Sequence, residues 1–283
     1  DAPCLQSRLL QVGLPFQGPA CACVAPGGSS GSRRALVCPA SAVEPQAHLL
    51  DLDAVSGSSD GGPAAACSTA VPSGWPRRAA PALAGDGATA FAVGGLHSSG
   101  SPGEQAWAWT PEAPWRPLPP LPHARAHLAS ACWRGQVIAT GGIMAERRRS
   151  DGVLCLDPAG TAWTPLPKLP MPIAYHAAAT ADDGRIWLLG GHGDDRLVSR
   201  AWCLDPREGD WALWPTSLRG PRWAHAAVAV PGGIAAIGGY GAYGSRYRLR
   251  YLDSVDLLDV RREGLRSEGR LCEARAKLAA VAL

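Results

Sequence analysis

Three groups of residues in this chain have types and spacings that could do chemistry. Glycine pairs stand at Gly94-Gly95, Gly141-Gly142, Gly190-Gly191 and Gly238-Gly239. A glycine-rich loop can cradle a phosphate on its amides, but it then needs a Lys-Ser or Lys-Thr after the second glycine cluster, opening a helix. Gly239 is instead followed by Tyr240, Gly241, Ala242 and Tyr243, so these glycines are read as backbone devices. Histidines stand at His127, His176 and His225, spaced 49 and 49. Imidazole is the commonest metal ligand, and one register on three repeats could form a ring. Equivalent residues on neighbouring repeats are held a repeat spacing apart, however. Each is therefore read as a hydrogen-bonded structural histidine, with no metal and no cofactor expected. The third group is Arg125, Arg147, Arg148, Arg149, Arg196, Arg222, Arg246, Arg248 and Arg250, with Tyr243, Tyr247 and Tyr251 among them. Guanidinium forks pair with carboxylate and phosphate. Recognition of an acidic or phosphorylated peptide is the chemistry they suit, and no residue is assigned a catalytic role.

The elements that position these residues repeat. The glycine pairs recur at steps of 47, 49 and 48 residues, and Trp115, Trp163 and Trp211 at 48 and 48. Each unit reads as four short strands. In residues 173–221, HAAAT is followed by an Asp-Gly turn, then RIWLLGG, RAWCLDP and DWALWP. No segment keeps a 3.6-residue apolar period with caps at its ends. With 34 Gly and 26 Pro in 283 residues, the composition also suits short strands joined by turns. Four-stranded units at this period imply an all-β fold, a β-propeller of antiparallel blades. Five blades are expected over 19–75, 79–122, 124–172, 173–221 and 222–270, with 271–283 as the first strand of a partial sixth. In such a blade glycine admits close approach of backbone or a large side chain, and the repeated tryptophan is expected to cover that gap.

The glycine pair, the LDP or LDV third strand, the tryptophan some 21 residues after the pair, and connections such as PLPPLPHARAH and LRGPRWAHAAV resemble those of kelch repeats. The matching stretch runs from about 82 to 260. The resemblance implies a protein–protein interaction module, in some members joined to BTB and BACK domains as the substrate-recognition part of a cullin-type ubiquitin ligase. It also implies two enzymatic alternatives. One is a copper oxidase similar to galactose oxidase, with a Tyr–Cys cross-link. The other is a sugar-acid isomerase that needs channel carboxylates for acid–base work.

The second-to-third loops at 96–104, 143–152, 192–199 and 240–253, with the blade connections at 122–125 and 219–222, are expected on one face. That face would carry the arginines and tyrosines. The composition holds 25 Arg against 2 Lys, and biased coding is the competing explanation of the excess. A net charge of +3 does not by itself imply nucleic acid. The longest apolar runs are too short to span a bilayer as a helix. Nine cysteines without a C-x-x-C pair argue for buried thiols in a reducing compartment, so a cytoplasmic location is expected.

Overall fold

The computed structural model describes residues 79–283 apart from 111, 243–247, 272, 279 and 281–283, with the backbone alone at 267 and 268 and for four strands before residue 79. Every strand pair is antiparallel. The first sheet is β1 (Ala20–Ala25), β2 (Arg34–Pro39), β3 (His48–Asp51) and β4 (Ser68–Thr69). The second is β5 (Ala82–Gly85), β6 (Ala90–Val93), β7 (Ala106–Thr110) and β8 (Ala113–Leu118). The third is β9 (Ala129–Trp133), β10 (Gln136–Thr140), β11 (Val153–Leu156) and β12 (Trp163–Leu166). The fourth is β13 (Ala177–Thr180), β14 (Ile186–Leu189), β15 (Ala201–Leu204) and β16 (Trp211–Leu213). β17 (Arg222–Trp223) precedes the fifth, which joins β18 (Ala226–Val230), β19 (Gly233–Ile237), β22 (Ser254–Asp259) and β23 (Gly264–Arg270). Two short strands of the long loop, β20 (Tyr240–Gly241) and β21 (Arg250–Tyr251), form a small sheet with β17 in the order β17-β20-β21. First strands of successive sheets lie against one another, β1 on β5, β5 on β9, β9 on β13 and β13 on β18. This is the all-β propeller expected. Between 271 and 280 the described residues form no strand. The amide of Lys277 nevertheless donates to Ala224 O at 2.6 Å, so the segment follows the path of a first strand.

The core lies between blades rather than inside any one. Inner strands alternate with period two, and both faces are buried. Val137 and Ala139 pack towards the second blade with Phe91 and Val93. Ile138, one residue over, packs towards the fourth with Ile186 and Leu188. Trp187 and Leu189 then meet Ile234 and Leu258 of the fifth. Two-sided burial explains why VLCL, IWLL and AWCL read as unbroken apolar runs. Cys155 and Cys203 share the same third-strand position and are both buried, and burial pushes the Cys155 thiol up to about 11. They are core hydrophobes with weak thiol chemistry.

Each glycine pair makes room for one side chain at the blade junction. All eight glycines have positive φ, near +60° at the first of each pair and near +100° at the second. A Cβ on Gly190 would lie 2.5 Å from Arg222 O and 2.8 Å from His225 Cε1 of the next blade. A Cβ on Gly191 would lie 2.7 Å from the Cβ of His176 in its own blade. The same two contacts recur at Gly141 with His176 and Gly142 with Leu128. They recur again at Gly238 with Leu278 and Gly239 with His225. The first glycine of the second blade, Gly94, meets Leu128, whereas Gly95 meets Ala79 and Pro81. The tryptophans do not cover these gaps. Trp115, Trp163 and Trp211 sit on the fourth strands. There the Trp163 indole donates to Pro119 O at 2.8 Å and Trp211 to Pro167 O at 2.9 Å, each tying an outer strand to the preceding connection.

Those contacts also correct the histidine register. His127, Tyr175, Ala224 and Lys277 are the equivalent residues, all with φ between 51° and 56°. Their amides and carbonyls form one series, Tyr175 N to His127 O, Ala224 N to Tyr175 O and Lys277 N to Ala224 O. His176 and His225 stand one position further on, in register with Leu128 and Leu278. The regular 49-residue spacing of the histidines was therefore a coincidence of side-chain identity, and it makes no three-histidine ring.

Candidate partner-binding face

The second-to-third loops are stapled down, not free. The residue after each glycine pair bridges back to the incoming connection, Leu96 to Ala79, Ile143 to Ala126 and His192 to Ala174. It also bridges across its own loop, to Pro102, Arg149 and Leu197 respectively. In the fifth blade the same pattern lengthens into the β17-β20-β21 sheet, pairing Trp223 with Tyr240 and Tyr240 with Tyr251. The sequence reading missed this second tier. Its only trace was an apolar or aromatic residue directly after each glycine pair.

The arginines divide between this face and the interior. Arg147 and Arg148 are exposed on a single 3-10 turn, Ala145–Arg147 and the residue after it, where Glu146 and Arg147 both take left-handed torsions. Arg196, Arg248 and Arg250 are exposed as well. Arg149 is largely committed within the protein. Its guanidinium donates to His192 Nδ1 at 2.9 Å and pairs with Asp194 at 3.2 Å, joining the loops of two blades. Tyr243, Arg246 and Tyr247 lie outside the described residues.

Arg125 and Arg222 do not belong to the face. They are 3% and 0% exposed. Both stand two residues before the left-handed position, a register filled by buried Ile173 in the fourth blade, and both turn inward under their own blade's loop. Arg125 donates to Gly152 O at 2.9 Å and Gly141 O at 3.4 Å. Burial lowers its pKa, partly offset by Asp151. Arg222 pairs with fully buried Asp256 at 2.6 Å and donates to Gly238 O at 3.1 Å and Ser254 Oγ at 3.2 Å. Asp256, in β22, also accepts from the Arg219 amide at 3.2 Å. Such buried heads hold loop carbonyls that would otherwise lack partners.

An aromatic series crosses the face from the channel mouth to the rim. His127 stacks on Tyr175 at 4.3 Å, and Tyr175 meets Trp223 edge-on at 5.0 Å. Trp223 meets Tyr240 at 5.5 Å, and Tyr240 meets Tyr251 at 5.3 Å. Tyr251 is 60% exposed beside Leu249 at 51%. Rigid aromatic area among guanidinium groups is the composition that dominates protein interfaces. Burial and the Lys277 charge hold the His127 pKa down at about 4, so its imidazole is neutral at pH 7. Burial alone brings His176 to about 3, with its Nε2 against Thr140 Oγ1 at 2.8 Å.

On the opposite face, third-strand aspartates cap the short turns. Asp157 accepts from the amides of Thr161 and Ala162, Asp205 from Arg207, and Asp259 from Arg261 and Arg262. This is the physical content of the repeated LD motif. Among the described residues no three His, Cys, Asp or Glu side chains come together as a metal set.

Family comparison matches the kelch motif at residues 124–170 and 174–214. The third and fourth blades are kelch repeats. No curated protein matches the chain. The kelch propeller is a fold typical of protein–protein interaction modules. Among the described residues no helix is long and apolar enough to cross a membrane.

Proposed function

We propose that this kelch propeller is a non-enzymatic interaction module that binds an acidic or phosphorylated partner peptide on its long-loop face. The observation that carries the reading is the set of exposed guanidinium groups, Arg147, Arg148, Arg196, Arg248 and Arg250, around the aromatic series that ends at Tyr251. Arginine forks match carboxylate and phosphate geometry, and stapled loops present them at low entropic cost. In a chain joined to BTB and BACK domains, such a face would recruit substrates to a cytoplasmic cullin-type ubiquitin ligase. That role follows from the kelch resemblance.

Two double reversals test the reading, Arg147→Glu with Arg148→Glu, and Arg248→Glu with Arg250→Glu. Binding is measured to immobilised peptide pools rich in Glu and phosphoserine, beside a Lys-rich pool. Each reversal should weaken binding to the acidic pool by about tenfold, the scale of two interfacial rim charges. Equal binding by parent and variants, or equal binding to the Lys-rich pool, sinks the proposal.

A further inference from the structure

The central channel opens on the long-loop face above a cavity of about 200 Å³. First strands build it in layers. The mouth carries His127, Tyr175, Ala224 and Lys277, the residues linked amide to carbonyl. Two residues further in, the wall is Ala82, Ala129, Ala177 and Ala226. The cavity is thus apolar in depth and polar only at its rim. Lys277 is exposed there and forms no ion pair among the described residues. The neighbouring imidazole of His127 is neutral and offers one N–H donor. Arg149 acts electrostatically on Tyr175 from the loop above.

We propose that the channel mouth binds a small monocarboxylate with a ring-sized apolar body, the body in the alanine-lined cavity and the carboxylate on Lys277. The volume sets the size. An engineered apolar cavity of about 150 Å³ in another protein holds benzene, so about 200 Å³ admits a six-membered ring with a short arm. The rim sets the charge. One ammonium and neutral donors match a single negative charge, and a doubly charged phosphate would lack a second cation at this depth. An aspartate or glutamate of a docked peptide brings only one or two methylenes before its carboxylate, too little to fill the space. The ligand is therefore a free small acid, and its site does not depend on the peptide face proposed above.

The probe is phenylacetate, titrated calorimetrically into the whole protein beside acetate, which lacks the ring, and 2-phenylethanol, which lacks the charge. Phenylacetate should bind saturably and more tightly than either. Lys277→Gln should weaken phenylacetate by about fivefold, the upper range for an exposed charge pair, and Lys277→Arg should retain it. The Arg248→Glu, Arg250→Glu protein should bind it unchanged, which separates this site from the peptide face. Absence of saturable binding overturns the proposal. So does acetate binding as tightly as phenylacetate, or Lys277→Gln binding as tightly as the parent.

Discussion

Gly190→Ala tests the junction where glycine pairs meet the next blade. Two costs add. Gly190 has φ +56°, where an alanine pays about 1–2 kcal/mol for the left-handed conformation. Its Cβ would also stand 2.5 Å from Arg222 O and 2.8 Å from His225 Cε1. The first neighbour is backbone held by Gly191 N at 2.7 Å, and the second is a buried ring, so neither yields easily. Forcing atoms into a packed core costs about 1–3 kcal/mol. The expected loss is therefore about 2–5 kcal/mol, a large share of the roughly 5–15 kcal/mol by which domains are stable. Gly87→Ala is the internal control. It has φ +85° and nothing within 4 Å of a Cβ, so it carries the torsional cost alone. Equilibrium urea unfolding of the two variants and the parent gives the difference. If Gly190→Ala costs no more than Gly87→Ala, the junction contact is not what the glycine serves.

Two further outcomes follow from buried polar groups. Arg222→Leu strands the Asp256 carboxylate, 0% exposed, and should cost about 3–5 kcal/mol in urea unfolding. The Arg222→Leu, Asp256→Leu double variant should cost clearly less than the two singles summed, and strict additivity would refute the pairing. His176, 5% exposed, has a folded pKa of about 3, so the unfolded chain takes up the proton first. Its contribution is complete above about pH 6.5 and falls as pH drops towards 3, by ~1.4 kcal/mol per unit. About 2 kcal/mol should be gone at pH 5, and His176→Leu, the residue type at Leu128 and Leu278, should flatten that slope. Equal slopes between pH 6.5 and 5 in both proteins would refute it.

The repeat was legible because its markers serve the backbone. Glycine at positive φ has no good substitute, so Gly94, Gly141, Gly190 and Gly238 kept the period visible. The histidines misled because a side chain's identity does not fix its register. Backbone torsion does, and the left-handed residue is His in one blade, Tyr in the next and Ala in the next. Arg125 and Arg222 were placed on the surface because arginine in a connection usually is. The corrective signal was Ile173 at the same register, since an apolar residue in one repeat marks an inward position in the others. Asp256 carried no signal at all. Its role exists only because β22 brings it under a connection more than thirty residues earlier in the chain.

The glycine junctions also dictate how the ring can be cut. Each blade supplies a plug to the blade before it and a socket to the blade after it, so no blade is complete by itself. Gly238 and Gly239 form the socket of the fifth blade, and Leu278 is the plug that fills Gly238. A protein shortened before residue 271 would keep all five sheets and still expose an empty socket over Ile237, Val255 and Leu257. Stability here is passed from neighbour to neighbour, and the segment after the last sheet is part of the fifth blade's core.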